Sequence, residues 1–314
     1  MAGRRRKHTL PYYVVSISRQ VWAHPANRRR RLRALLAAAG WQVRRRLSRR
    51  SPIAVLPGGA HLYCYADSTV VSQLFYFGSY AEYDELLFLC RYLRAGDGVV
   101  DGGANVGLYT LHAAPLVGAD GRVDAFEPGR EAGDRLEANV ALNGYSHVQV
   151  HRAALWDAPT TLGLSTGWDV SNRVTDGEGQ LVAALSLDDT LAGRSYAYAK
   201  LDVEGAEHRA LTGALARLAD HDPPVWQVEV FGSMLQQFGS SAGQVASLLR
   251  EHGYALAAYD ADTNRLRRLH APTGAKNLLA IAEERWSWVA DRLVESAYEP
   301  GRARIVRSPR LTRG

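Results

Sequence analysis

The chain has 314 residues, of which 46% are hydrophobic and 22% are charged. These proportions are typical of a globular protein and exclude a chain that is disordered throughout. The two cysteines are too few for a disulfide framework or a four-thiolate zinc site, and no apolar run reaches the ~20 residues of a membrane span. Because no signal-peptide cleavage site follows the basic N-terminus, we expect a cytoplasmic protein with no transmembrane segment.

The net charge of +6 belongs to the two ends of the chain. Residues 1–66 contain 15 basic and no acidic residues, and residues 301–314 contain five basic and no acidic residues. Residues 67–300 therefore hold the other 18 basic residues and all 32 acidic residues, a net charge of −14. This acidic body counts against nucleic acid as a partner. Arginine outnumbers lysine 35 to 3, a bias typical of a GC-rich genome.

The first 50 residues contain apolar side chains at partly helical spacing between clusters of arginines: Leu32, Leu35, Leu36 and Trp41. Such a helix is suited to peripheral contact with anionic lipid or to a protein partner; the alternative is a solvated helix packed on the body. Short strands are predicted at 53–56, 61–65 and 70–77. This extension could also supply the interface of a homodimer.

From residue 99 onward, short apolar strands alternate with segments of helical periodicity. The strands are predicted at 99–101, 123–127, 148–153, 197–203, 225–230, 254–258 and 277–281. Strands separated by helices imply a mainly parallel sheet that is covered on both faces. The sequence therefore predicts an α/β fold with a Rossmann-like, doubly wound seven-stranded sheet and an N-terminal extension of helix and strands.

A glycine-rich motif, Asp-Gly-Gly-Ala-Asn-Val-Gly, occupies residues 101–107 between the first of these strands and a helix. Glycines here let the backbone approach a ligand, and Asn105 tolerates a left-handed conformation. Asp101 ends the strand, where it is placed to bind an amino group, and Glu127 ends the next strand, where an acid binds ribose hydroxyls. Together they favour S-adenosyl-L-methionine over NAD, with helix capping or turn formation as the alternative.

These motifs, with Phe-Glu-Pro at 126–128 and Lys-Leu-Asp-Val-Glu-Gly-Ala-Glu at 200–207, resemble the FkbM-type methyltransferases over about residues 80–282. The resemblance implies the class I methyltransferase fold and S-adenosylmethionine-dependent O-methyl transfer to a hydroxyl of a sugar, glycan or natural-product intermediate. We expect the chain to consist of a basic N-terminal extension with short strands (1–78), a methyltransferase domain (79–300) and a basic C-terminal tail (301–314). The expected cofactor-binding residues are Glu82, Asp101, Gly103, Asn105, Gly107, Thr110, Glu127 and Asp157. Asp157 is placed to reach an adenine amino group, unless it is a turn residue.

Carboxylates at the ends of the fourth and fifth strands are the candidate catalytic groups. Asp202 and Glu204 follow the fourth strand, Glu229 ends the fifth, and Lys200 could give electrostatic help. In one interpretation Asp202 and Glu229 bind Mg²⁺, which would lower the pKa of a bound hydroxyl. In the other, which we prefer, Asp202 or Glu204 is the general base without a metal. A third possibility is that these side chains form structural ion pairs.

The segment between the third and fourth strands carries side chains that suit polyhydroxy ligands. Trp168 could stack on a sugar face, and Asn172 and Arg173 could bind hydroxyl or anionic groups; a surface loop is the alternative. Two other functions stay open. One is an RNA-modifying methyltransferase that grips phosphate with its arginine-rich ends, and the other is a non-catalytic cofactor-binding scaffold.

Overall fold

The computed structural model of the protein describes residues 10–47, 51–164, 174–175, 179–272 and 276–306. The N-terminal part consists of helices and two short strands. In chain order these are α1 (Leu10–Ala23), a 3-10 helix (Pro25–Asn27), α2 (Arg31–Leu47), β1 (Ile53–Val55), β2 (His61–Tyr63) and α3 (Thr69–Tyr76).

The prediction of a strand at residues 70–77 is wrong, because this segment forms helix α3. Ser68 begins the helix by accepting a hydrogen bond from the backbone N–H of Val71 at 3.3 Å. The β-branched and aromatic side chains of the segment are typical of strands. The cap and the packing of one helical face against α2 outweigh that preference, and Trp41 of α2 donates a hydrogen bond to Ser72 at 3.1 Å.

The body of the protein alternates helices and strands. It comprises α4 (Tyr83–Tyr92), β3 (Gly98–Gly102), α5 (Leu108–Val117), β4 (Arg122–Phe126), α6 (Arg130–Asn143), β5 (Val148–His151), β6 (Ala153–Leu155), β7 (Thr160–Leu164), β8 (Val174–Thr175), β9 (Gln180–Leu185) and α7 (Leu187–Thr190). It continues with β10 (Tyr198–Leu201), α8 (Glu207–Thr212), α9 (Leu215–Ala219), β11 (Val225–Glu229), α10 (Gly232–Leu235), a 3-10 helix (Gln236–Phe238), α11 (Ala242–Glu251), β12 (Tyr254–Asp260), β13 (Arg265–Arg268), β14 (Asn277–Ala282), a 3-10 helix (Glu283–Arg285), α12 (Trp286–Val294) and β15 (Arg304–Val306).

Eight strands of the described chain form one large sheet in the order β13-β12-β14-β11-β10-β3-β4-β5. The strands from β5 to β11 in this order are parallel, whereas β14 and β13 run antiparallel to their neighbours. Val99 and Val100 belong to two different buried clusters, so both faces of the sheet are covered. The predicted α/β, doubly wound fold is confirmed, with β13 as an eighth strand at the edge beyond the seven predicted.

Two smaller sheets flank the large one. β6, β9, β7 and β8 form a sheet in that order between β5 and α7 of the chain. β15 pairs with β1, and β1 with β2, so the C-terminal segment completes a sheet of the N-terminal part. In the described part of the chain, every helix is too short or too polar to cross a bilayer.

Candidate active site

The candidate site is a cavity of about 370 Å³ at the carboxyl ends of the parallel strands. In the large sheet, β4 and β5 lie on one side of β3, and β10 and β11 lie on the other side. The strand order therefore reverses between β3 and β10. Such a switch point leaves a crevice at the sheet edge, where ligands bind in folds of this type. Side chains from β3, β10 and β11 and from the loops after them line this cavity.

Asp101 lines the cavity from the end of β3 and is almost completely buried. Its Oδ2 accepts hydrogen bonds from the backbone N–H and the hydroxyl of Thr110, at 2.9 and 2.6 Å. Its Oδ1 has no hydrogen-bond partner among the described residues. Burial raises the pKa of Asp101, although Lys200 lowers it. A buried acceptor without a donor is costly, so this oxygen calls for a donor on a ligand.

The loop after Asp101 brings backbone close to the cavity. Gly103 has φ of 75°, and a Cβ there would lie 1.9 Å from the carbonyl oxygen of Asp202, so only glycine fits. Asn105 adopts φ of 51°, the left-handed conformation that the sequence predicts for it. Gly107 caps α5 with φ of 92°.

Glu127 lies beside this loop at the end of β4. Its carboxylate accepts hydrogen bonds from the backbone N–H groups of Asn105 and Gly129, at 2.8 and 2.7 Å. Burial raises its pKa to about 7, against the lowering effect of these bonds. Glu127 therefore both fixes the glycine-rich loop and faces the cavity.

Lys200 and Asp202 form an ion pair at 3.1 Å where β10 ends. Lys200 is 4% exposed, and its ammonium lies 4.7 Å from the centre of the Tyr109 ring. Burial lowers the pKa of Lys200, but the Asp202 and Asp101 carboxylates outweigh that effect and raise it. Burial likewise raises the pKa of Asp202, but Lys200 and Lys276 hold it below its usual value. Both groups are therefore charged at neutral pH.

Glu229 and Lys276 form a second ion pair at 2.8 Å. β14 begins at Asn277, opposite Glu229 in the antiparallel register, so the residue before β14 reaches the edge where β11 ends. Burial and the nearby Asp202 charge raise the pKa of Glu229 to about 7, while Lys276 lowers it. Lys276 was not among the predicted site residues. A signal was present, because two of the three lysines of this arginine-rich chain lie in this cavity.

A buried chain of hydrogen bonds holds Glu82 at the cavity. Tyr109 donates its hydroxyl to Glu82 at 2.5 Å and accepts a hydrogen bond from the Gln227 amide at 2.9 Å. Tyr198 in turn donates to the oxygen of that amide. Glu82 also lies 3.5 Å from the ammonium of Lys276. Tyr109, Gln227 and Tyr198 were not predicted as site residues.

Glu204 lines the cavity in a left-handed conformation, with φ of 56°. The buried Glu207 stabilises this turn by accepting hydrogen bonds from the backbone N–H groups of Val203 and Gly205, at 2.9 and 3.1 Å. A left-handed glutamate is uncommon and such conformations concentrate at functional sites. Glu207 is therefore a positioning residue for the loop that carries Asp202 and Glu204.

The structure brings most of the predicted site residues together around this cavity: Glu82, Asp101, Gly103, Asn105, Glu127, Lys200, Asp202, Glu204 and Glu229. Gly107 and Thr110 support the loop and Asp101 without lining it. Asp157 also lies off its described lining, in an ion pair with Arg209 at 2.6 Å. Trp168, Asn172 and Arg173 lie outside the described residues.

The donor set does not fit the Mg²⁺ site considered for Asp202 and Glu229. Among the described residues, no three His, Cys, Asp or Glu side chains are grouped so as to hold a metal ion. Each of the two carboxylates also has a lysine ammonium at ion-pair distance, 3.1 Å for Asp202 and 2.8 Å for Glu229. Positive charge next to the carboxylates is thus already supplied by the protein.

Comparison with known proteins agrees with these features. A family model described as methyltransferase FkbM domain matches residues 101–256, which include the glycine-rich loop and every catalytic candidate. The 31-O-demethyl-FK506 methyltransferase FkbM of Streptomyces tacrolimicus is 30% identical over 204 residues, which are 53% of this chain and 75% of that protein. The chain belongs to the FkbM methyltransferase family.

Solved structures similar to this FkbM-family methyltransferase are distant in sequence. The crystal structure of the methyltransferase FkbM from Methylobacillus flagellatus KT is 16% identical, with a TM-score of 0.40 over 79% of this chain. This chain spans 59% of the length of that protein. An O-methyltransferase from Thermotoga maritima is 13% identical, with a TM-score of 0.37 over 63% of each chain.

Proposed function

We propose that this methyltransferase uses S-adenosyl-L-methionine to methylate a hydroxyl group of a sugar, glycan or natural-product intermediate. The observation that carries the proposal is the pair of lysine–carboxylate contacts, Lys200–Asp202 and Lys276–Glu229, on adjacent strand ends in one cavity. Such groups can bind several hydroxyls of one acceptor and remove a proton from one of them.

The residues around the glycine-rich loop fit S-adenosylmethionine. The unpartnered Oδ1 of Asp101 would accept a hydrogen bond from the ammonium of the amino acid part, and Glu127 would bind the ribose hydroxyls. The carboxylates that line the cavity also favour a cationic ligand. When bound, S-adenosylmethionine supplies an electrophilic methyl group on its sulfonium. An adenine contact from Asp157 would use its Oδ1, since its Oδ2 accepts a hydrogen bond from Arg209 at 2.6 Å.

Glu229 is the best-suited general base among the carboxylates. Its pKa of about 7 lets it be ionised and still accept a proton at neutral pH, whereas Asp202 is held ionised by Lys200. Glu229 would take the proton of the acceptor hydroxyl. Asp202 and Lys200 would bind a second hydroxyl of the substrate and so orient it. The Asp202 carboxylate accepts hydrogen bonds and the Lys200 ammonium donates them.

The test is methyl transfer from labelled S-adenosylmethionine to a panel of glycosides and polyhydroxylated natural products. We expect a methyl ether as product, and loss of about 10²- to 10⁴-fold in kcat for Glu229→Gln. Binding of S-adenosylmethionine, measured by calorimetry, should be retained in that variant. Glu251→Gln, at an exposed position on α11, is the matched control. Methyl transfer only to nitrogen, sulfur or RNA would refute the proposal.

A further inference from the structure

Helix α2 carries four large apolar side chains on its outer surface. Leu32, Leu36, Val43 and Leu47 are 69%, 73%, 57% and 78% exposed. At 3.6 residues per turn, their spacings of 4, 7 and 4 place all four within about 60° of arc. They form one continuous stripe, which we call the outer stripe. Scattered exposed apolar residues are ordinary, but a stripe of this kind marks an interaction surface.

The opposite face of α2 packs against the rest of the protein. Ala34, Ala38 and Trp41 are buried, and Trp41 stacks on Phe75 of α3 with ring centres 4.4 Å apart. The hydrogen bond from Trp41 to Ser72 fixes the rotation of the helix. The outer stripe is thus a second apolar face, which packing in the described chain does not use.

The surroundings of the outer stripe are strongly basic. Residues 10–47 contain nine arginines and no aspartate or glutamate. Helical spacing places Arg33 and Arg44 beside one edge of the stripe and Arg46 beside the other, and all three are exposed. Trp22, on the neighbouring helix α1, is 44% exposed and lies 5.2 Å from the guanidinium of Arg31.

We propose that the outer stripe of α2 and its flanking arginines dock on an anionic lipid surface. Leucine side chains would enter the boundary between headgroups and acyl chains, while arginines bind the phosphate groups. RNA would satisfy the arginines but leave the leucines exposed to water. A second copy of this chain that docked through the same stripe would cover the leucines but bring two basic surfaces together, which electrostatic repulsion disfavours. Anionic lipid satisfies both features.

Docking would place the membrane close to the active site. α2 packs on α3 through Ser72 and Phe75, and α3 presents Val70 and Gln73 to the cavity on another side. One helix layer of about 10 Å would then separate the lipid surface from the helix that lines the cavity. The docking residues are distinct from the catalytic candidates, so the two properties can be tested separately.

The experiment is co-sedimentation of the full chain with vesicles of phosphatidylcholine alone or of phosphatidylcholine mixed with phosphatidylglycerol. We expect binding to the mixed vesicles that weakens with salt. Leu36→Asp should weaken it by about tenfold or more. Leu181→Asp is the matched control, because Leu181 is 67% exposed on β9, and it should bind as the unmodified protein does.

The contribution of the arginines to vesicle binding is tested with a second pair of double variants. Arg33→Gln with Arg44→Gln should weaken binding to the mixed vesicles by about tenfold or more. The same change at Arg265 and Arg267, exposed on β13, should have little effect. The proposal is overturned if vesicles are not bound, if neutral vesicles bind equally well, or if Leu36→Asp acts only by dissociating a dimer in ultracentrifugation. Salt-sensitive RNA binding without vesicle binding would also overturn it.

Discussion

Lys276 lies 2.8 Å from Glu229 because an antiparallel strand begins where a parallel strand ends. β11 delivers Glu229 to the carboxyl edge of the sheet, and β14, running the other way, has its first residue at the same edge. The ammonium is half-exposed and the carboxylate is buried. The lysine therefore controls how readily the proposed base is ionised.

Replacing Lys276 is expected to change the pH dependence of methyl transfer. The pKa of Glu229 is about 7, raised by burial and by Asp202 and lowered by Lys276. In Lys276→Met the lowering effect is lost, so the pKa rises and less of the base is ionised at neutral pH. The acidic limb of the kcat/KM profile should move to higher pH, which steady-state rates between about pH 5 and 9 would show.

Two further variants make this result specific. Lys276→Arg keeps the positive charge and should shift the limb less than Lys276→Met. Arg267→Met removes an exposed cation from β13 and should leave the profile unchanged. If the limb stays in place in Lys276→Met, Glu229 is not the group whose ionisation controls the rate.

Activity is expected to survive removal of divalent metal ions. Lys200 and Lys276 already place positive charge at 3.1 Å from Asp202 and 2.8 Å from Glu229, the two carboxylates considered as Mg²⁺ ligands. The measurement is the initial rate in EDTA and after dialysis. A complete loss of rate that added Mg²⁺ restores would contradict the metal-free mechanism.

Most of the site was predictable because its motifs are local in the chain. Asp101 lies at the end of β3, and Glu127 and Asp202 directly follow β4 and β10. The carboxyl ends of these parallel strands share one edge of the sheet. Lys276 was missed because it precedes its strand, and its place at that edge depends on the antiparallel direction of β14. That direction is set by tertiary pairing, which the local pattern does not contain.

The wrong prediction of a strand at α3 and the failure to predict Tyr109 and Gln227 as site residues have similar causes. The segment of α3 is rich in strand-forming residues, and its helical state depends on the Ser68 cap and on packing against α2. Tyr109 and Gln227 belong to apolar segments that predict a buried helix and a buried strand. Their hydrogen bond joins two elements that are 118 positions apart in sequence, so it could not be derived from spacing.

Asp101→Asn is expected to weaken binding of S-adenosylmethionine. The ligand would lose a charge-assisted hydrogen bond to Oδ1, which corresponds to an increase in Kd of about 10- to 100-fold. Burial raises the pKa of this carboxyl, so removing its charge should leave the free energy of unfolding within about 1 kcal/mol. Calorimetric titration and urea denaturation separate the two effects. Asp120→Asn, at an exposed turn, is the control, and an unchanged Kd in Asp101→Asn would exclude Asp101 as a cofactor ligand.

Glu207→Ala is expected to lower kcat although Glu207 does not line the cavity. The backbone N–H groups of Val203 and Gly205 would lose their acceptor, and the turn would no longer hold Glu204 in its left-handed conformation. We expect a loss of at least about tenfold in kcat and a destabilisation of about 1–3 kcal/mol. Glu207→Gln keeps an oxygen acceptor and should restore most of the rate. Equal rates in the alanine variant and the unmodified protein would show that the turn does not need this support.

Glu207→Gln should also flatten the dependence of stability on pH. Burial raises the pKa to about 7 in Glu85, Glu127, Glu207 and Glu229. The folded state therefore binds the carboxyl protons of these residues more tightly than the unfolded chain does. The resulting stabilisation is present below pH 4.5 and is lost as the pH rises to about 7. Each group contributes a slope of up to about 1.4 kcal/mol per pH unit. Urea denaturation across this range should show that the free energy of unfolding falls less steeply with pH in Glu207→Gln than in the exposed control Glu251→Gln. Equal slopes would mean that Glu207 titrates in the folded protein as it does in the unfolded chain.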